Sequence, residues 1–309
     1  MMLRVLGSAA GGGFPQWNCN CTGCRRARTG DPAATPRTQS SLAVSSDGER
    51  WLVVNASPDL RQQILQTPSL HPRTGLRDSP IAAVFLTNAD VDHIGGLLNL
   101  REGQPFALYA ARRVLDVLEG SAVFNVLNRE TVPRREAPLG ARVALQDAEG
   151  VPLGLAVETF TVPGKVALFL EDPEAGPSFG TAEGDTVGLR LIDERSGRSV
   201  FYVPNAAAMS RGLSERLQGA ELVFFDGTLY RDDEMLKAGL SGKSGRRMGH
   251  ISVSGPDGAI ASFEGLSVKR KIFVHINNSN PILLTDSPER EAVESAGWEV
   301  ACDGMEIEL

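Results

Sequence analysis

The sequence predicts an α/β layered fold in which two sheets pack face to face and helices flank them. Three observations lead to it. Short apolar runs of strand length, at residues 81–86, 222–225 and 271–274, each stop on a polar residue. Helical patterns recur between strand candidates, as layered α/β folds require. The strand candidates fall into two blocks, before and after residue 150, with no Pro/Gly/Ser-rich linker to split the chain, so residues 1–309 read as a single domain.

Taken in order, residues 3–6 form a short strand that runs into Gly11-Gly12-Gly13, a loop whose backbone freedom glycine supplies cheaply. Residues 41–44 and 51–55 read as strands joined by a turn at Asp47-Gly48. A helix follows Pro58 over residues 59–65, and 110–118 has helical periodicity with Val114, Leu115 and Leu118 on one face. The stretch from about 130 to 200 is turn-rich and strand-like, with strands at 156–162, 187–192 and 199–203. Ser287-Pro288 starts a last helix that Gly297 stops, placing the N-cap, the proline and the glycine where a helix wants them. Residues 299–301 and 305–309 are terminal strands.

Composition narrows the function. The chain of 309 residues is 42% hydrophobic, enough for a full core. Its formal charge of −7 argues against a nucleic-acid footprint. No run of about 18 apolar residues occurs, and the start turns Gly-rich too soon for a signal peptide, so a cytoplasmic protein with no membrane insertion is expected. Four cysteines, three of them within six residues, point in a reducing compartment to metal rather than to disulfides.

Polar residues at the C-terminal ends of apolar strands converge on one rim in folds of this kind. That makes residues 87–93, Asn205, Asp226 and His275 one expected neighbourhood. Within it, Thr87-Asn88-Ala89-Asp90-Val91-Asp92-His93 follows a buried strand and precedes Ile94-Gly95-Gly96. On its own, an Asp-His pair there would be no more than a helix cap and a satisfied histidine. In this order of strand, loop and Gly-Gly it resembles the metal loop of the metallo-β-lactamase superfamily, His-x-His-x-Asp-His. Asn88 and Asp90 stand where that pattern has its first two histidines.

The resemblance implies an αββα sandwich of two mixed sheets, and also shows what is missing. A dinuclear-zinc hydrolase of that superfamily uses about five histidines and a bridging aspartate. This chain has four histidines, His71, His93, His250 and His275, and places Asn205 where the aspartate should be. His71 lies in a polar loop and receives no role. Carried over position by position, what survives is Asp92, His93 and His275. One carboxylate and two imidazoles with open positions is the ligand set of mononuclear non-haem Fe(II) oxygenases, and also suits a catalytic zinc. Asp90 stands as a further ligand, or as an acceptor that orients His93. Phe225-Asp226-Gly227-Thr228 and Met248-Gly249-His250 resemble the carboxylate–histidine pair of ribonuclease Z relatives. Asp226 would then orient His250, which would move protons at the metal site. Lys243, Arg246 and Arg247 just before it read first as a solvated basic loop, with charge-assisted binding of substrate carboxylates as the alternative.

Cys19, Cys21 and Cys24 offer three thiolates at a spacing that wraps one structural zinc, and such sites close with four ligands. The fourth is open between Cys302, chemically the better ligand, and Asn278.

Over essentially its whole length the chain resembles the pyrroloquinoline quinone (PQQ) biosynthesis protein B family. The strings that carry the likeness are Phe14-Pro15-Gln16-Trp17-Asn18-Cys19, the Thr87–His93 loop, Tyr202-Val203-Pro204-Asn205, Phe225–Thr228, Met248–His250 and His275-Ile276-Asn277-Asn278-Ser279-Asn280-Pro281. The family implies an iron-dependent hydroxylase that uses dioxygen on the tyrosine ring of a crosslinked Glu-Tyr intermediate, with Fe(II) at the active site and a structural zinc. An alternative family view is a carrier of the cofactor or its precursor toward the periplasm. The electron source, the number of hydroxylations and the oligomeric state, a homodimer included, stay open.

Overall fold

A computed structural model of the chain describes residues 1–176 and 178–309. Six strands come first: β1 (Met2–Gly7), β2 (Ser41–Ser45), β3 (Trp51–Val54), β4 (Ile81–Leu86), β5 (Ala107–Ala110) and β6 (Arg134–Glu136). Eight follow: β7 (Arg142–Gln146), β8 (Pro152–Thr161), β9 (Val187–Asp193), β10 (Ser199–Val203), β11 (Leu222–Asp226), β12 (Arg270–Val274), β13 (Glu299–Val300) and β14 (Glu306–Glu308). They form two seven-stranded sheets, β14-β1-β2-β3-β4-β5-β6 and β13-β12-β11-β10-β9-β8-β7. Each sheet is mixed. β1, β2 and β3 run antiparallel, whereas β3 to β6 run parallel. In the second sheet β7 to β10 are antiparallel and β10 to β13 parallel.

Side chains alternate across each strand, and the alternation sorts the core into layers. Leu52, Val54 and Phe85 from the first sheet meet Leu189, Leu191, Tyr202 and Phe224 from the second. On the outer face of the second sheet, Phe225 and Phe273 pack with Phe263 and Trp298; Trp298 stacks on Phe273 at 4.0 Å between ring centres. On the outer face of the first, Val53, Val84 and Leu86 lie under Leu60 and under Val114, Leu115 and Leu118. The result is the expected αββα sandwich.

Three details differ from the sequence reading. Ala110 ends β5 rather than opening a helix; the helix is Arg112–Gly120, though its buried face is the expected Val114, Leu115 and Leu118. The switch between sheets falls between β6 and β7, ahead of residue 150. The last strand returns to the first sheet, pairing Ile307 with Leu3. The closing helix is Pro288–Ser295, with the Ser287 hydroxyl accepting from the Arg290 N–H as its cap. Among the described residues no helix is long and apolar enough to cross a membrane.

Candidate metal centre

The parallel halves of both sheets point their C-terminal ends at one rim. β4 delivers the Thr87–His93 loop, β10 delivers Asn205, β11 ends on Asp226 and β12 leads into His275. The loop is stitched across the sandwich, since Val187 N–H donates to Thr87 O at 2.9 Å. His275 takes a left-handed backbone conformation, φ 56°. A non-glycine residue there costs about 1–3 kcal/mol and persists only where its surroundings hold it. Two bonds do so: Thr228 Oγ1 donates to His275 O at 2.9 Å, and Ile276 N–H donates to Ser8 O at 3.0 Å.

Asp92, His93 and His275 meet with their donor atoms within 4.8 Å of one another. His275 Nε2 lies 3.1 Å from Asp92 Oδ2, and His93 Nε2 lies 4.0 Å from the same oxygen. The rings of His93 and His275 are edge to face at 5.3 Å. Both imidazoles are buried, and His93 Nε2 has no hydrogen-bond partner. A buried nitrogen left without a partner costs about 1–3 kcal/mol, and a cation between it, Asp92 and His275 would remove that cost. The donor set therefore fits a metal ion. Its electrostatics agree. Burial drives the His93 pKa down to about 4, leaving a neutral ligand. Burial works against ionising Asp92, yet the neighbouring His93 and the hydrogen bond to His275 hold its carboxyl well below the usual range. Burial also works against charging His275, but the Asp92 carboxylate raises its pKa.

Asp226 and His250 form the second pair, with Nδ1 of His250 2.7 Å from Asp226 Oδ2. That bond leaves Nε2 of His250 as the free nitrogen. Asp226 is fully buried, and its oxygens also accept from Ala206 N–H at 2.8 Å and Thr228 N–H at 3.0 Å. Thr228 ties the two clusters together. Its Oγ1 lies 2.7 Å from Asp226 Oδ1, 3.0 Å from His250 Nδ1 and 2.9 Å from His275 Nδ1. The sequence carried it only as the last residue of the Phe225–Thr228 string and gave it no role, because a threonine after Gly227 reads as an ordinary turn residue.

Asp90 stands apart from the trio. Its Oδ1 accepts from Leu168 N–H at 3.3 Å, and burial followed by the charge of Asp92 raises its pKa. The expected role of orienting His93 falls to Thr87, whose hydroxyl sits 3.4 Å from His93 Nδ1 and is itself held by Asn55. Asn88 Nδ2 donates to Asn205 Oδ1 at 3.2 Å, an amide pair where a second metal would need imidazole and carboxylate. Asp90, Asp92, Asn205, Thr228, His250 and His275 all line one cavity of about 460 Å³.

Cys19, Cys21 and Cys24 also come together, with sulfurs within 4.8 Å of one another. Asn278 closes on them: its Nδ2 is 3.4 Å from Cys24 Sγ, and its backbone O is 3.8 Å from Cys21 Sγ. Cys302 is not part of this group. Without a metal, burial pushes the Cys24 thiol up to about 11. Burial also acts to raise Cys19, but bonds from the Cys21 backbone and from neighbouring side chains lower it overall.

Comparison with known proteins accords with this geometry. The beta-lactamase superfamily domain matches residues 50–276. The chain is 56% identical over 306 residues to the coenzyme PQQ synthesis protein B of Gluconacetobacter diazotrophicus, covering 99% of this chain and 98% of that one. The chain belongs to the PQQ synthesis protein B family. The member from Xanthomonas oryzae pv. oryzae is 53% identical over 309 residues, covering 100% of both chains. The crystal structure of Zn(2+)-bound PqqB from Methylobacterium extorquens shares 50% identity and a TM-score of 0.93 over 100% of each chain. The αββα sandwich is thus that of the PQQ synthesis protein B family, within the beta-lactamase superfamily.

Proposed function

We propose that this protein acts in PQQ synthesis as an Fe(II)-dependent oxygenase, hydroxylating the tyrosine ring of a crosslinked Glu-Tyr precursor. The observation that carries the proposal is the donor set: Asp92, His93 and His275 as a half-buried carboxylate and two buried imidazoles, of which Asp92 and His275 line the cavity. Two imidazoles, one carboxylate and vacant positions suit Fe(II) chemistry with dioxygen. Fe(II) held there would supply the redox centre at which dioxygen meets a phenol or catechol. Zinc fits the same donors, and a zinc-bound relative from Methylobacterium extorquens is known. Zinc has no redox chemistry of its own, so on this reading it would be a spectator at this site.

The chain's own residues then take these roles. Asp226 holds His250 by Nδ1, so that Nε2 faces the cavity as the group that takes or gives a proton. Leu168, Met235 and Met248 give the ring an apolar wall. Cys19, Cys21 and Cys24, with Asn278, hold a structural zinc. The ligands come from both halves of the chain, so residues 1–309 work as one domain. A hydrolase with a two-metal clamp is disfavoured by the Asn88–Asn205 amide pair.

The test is anaerobic loading with Fe(II), then dioxygen, a reductant and the Glu-Tyr precursor, read by mass spectrometry. Iron-dependent gain of one or more oxygen atoms is expected, and its loss in His275→Ala. Precursor that binds tightly and comes back unchanged would overturn the oxygenase and favour a carrier.

A further inference from the structure

The basic segment before His250 is solvated only in part: Arg246 is exposed, while Lys243 and Arg247 are half-buried. Arg246 turns away, its side chain on Asp257 at 3.2 Å. Arg247 and Lys243 turn the other way and meet Glu171, which lies in the connection between β8 and β9. Arg247 forks onto both Glu171 oxygens at 3.1 and 2.7 Å, and its guanidinium sits 3.7 Å over the Phe179 ring. Two more cations approach the same carboxylate without reaching bonding distance. Lys165 Nζ is 3.5 Å from Oε1 and Lys243 Nζ is 3.9 Å from Oε2.

A single carboxylate already gripped by a guanidinium cannot neutralise three cations. Asp90 also faces Lys165, so the cluster keeps a surplus of about one to two positive charges, carried on ammonium groups with three donors each. Lys165, Lys243 and Glu171 line the cavity shared with Asp92, His250 and His275. The Lys165 stem is laid toward the site by Gly249, next to His250. A Cβ at Gly249 would come within 2.9 Å of Lys165 Cγ, and the residue has φ +86°. The cavity is therefore cationic at its mouth, apolar along Leu168, Met235 and Met248, and anionic at Asp90 and Asp92.

We propose that Lys165 and Lys243 form a carboxylate-binding subsite, which seats the acid groups of an aromatic amino-acid substrate so that its ring reaches the Asp92–His275 end. This rests on the oxygenase reading only for what happens at that far end. Arg247 and Glu171 are positioning residues, holding two mutually repelling ammonium groups at one place. A charge-assisted bond to a carboxylate is about twice as strong as a neutral one, so an acid should be preferred over its amide.

The experiment is calorimetry on the full chain loaded with zinc, which removes turnover. The probes are the crosslinked Glu-Tyr amino acid and the same molecule with its carboxylates converted to carboxamides. Wild type should bind the acid about ten-fold or more tightly than the amide, a difference of about 1.4 kcal/mol. Lys165→Met and Lys243→Met should each lose most of that preference while leaving amide affinity unchanged, and Lys243→Arg should retain it. A preference that persists in both methionine variants, or is absent from wild type, would overturn the subsite. Absence of oxygen incorporation by the iron-loaded protein, with the acid preference and its loss intact, would overturn the oxygenase reading alone.

Discussion

The Thr228 hydroxyl has one proton to give and four neighbours. Given to Asp226 or to His275 O, that proton leaves Oγ1 as an acceptor for the ring N–H groups at Nδ1 of His250 and His275. Both imidazoles are then held as the tautomer whose Nε2 is free for a metal or a proton. A group of this kind, one step behind a ligand, affects metal affinity or activity by about 10–100-fold. Thr228→Val should show such a loss, and Thr228→Ser should restore most of it; metal content and product formation measured together check this. Glu171 gives a second prediction. The Arg247 hydrogen bond lowers its pKa from 4.5 to about 2. A carboxylate lowered on folding stabilises the fold above the unfolded value, and that stability fades as pH falls from 4.5 toward 2. The gain is about 1 kcal/mol, on the scale of a screened ion pair. Thermal midpoints of wild type and Glu171→Gln should therefore differ near pH 7, draw together as pH falls below 4.5, and converge only near pH 2. A gap that stays constant over that range would refute the effect.

At the scale of elements, the loop after β4 depends on how closely it lies on the end of β3. Gly96 N–H donates to Ala56 O at 2.8 Å, and Ala56 N–H donates to His93 O at 2.8 Å. A Cβ at Gly96 would stand 1.9 Å from Ser57 O. Gly96→Ala must push the two segments apart, which costs about 1–3 kcal/mol or more by overpacking. Urea unfolding should show that loss, and the metal affinity of the variant should fall with it because His93 moves too. The same scale explains what the sequence revealed. β4, β11 and β12 were legible because each is an apolar run that stops on a polar residue, and those polar residues proved to share a rim. β5 was hidden because Phe106 to Ala111 runs without a break into the helix at Arg112. The Thr228 bridge, and the docking of the basic segment onto Lys165 and Glu171, were illegible for a different reason. Lys165, Glu171 and Arg247 are ordinary loop residues, and only the docking of two distant connections makes them neighbours.

For the whole molecule, the two sheets are joined by more than their apolar faces. Asp92 leaves the first sheet and His275 leaves the second, and they meet at the rim 3.1 Å apart. The two residues are separated by 183 positions in the chain, so their encounter requires the complete sandwich. An ion bound by both belongs to the folded chain and hardly at all to the unfolded one. Mass action then makes stability a function of free metal: at one hundred times the dissociation constant the fold gains about 2.7 kcal/mol. The unfolding midpoint of the wild type should climb steadily with buffered free metal, and that of His275→Ala should lose the rim's share of the climb. Metal scarcity would thus thin the population of folded molecules as well as emptying the site, so that supply of the ion and survival of the protein become a single variable.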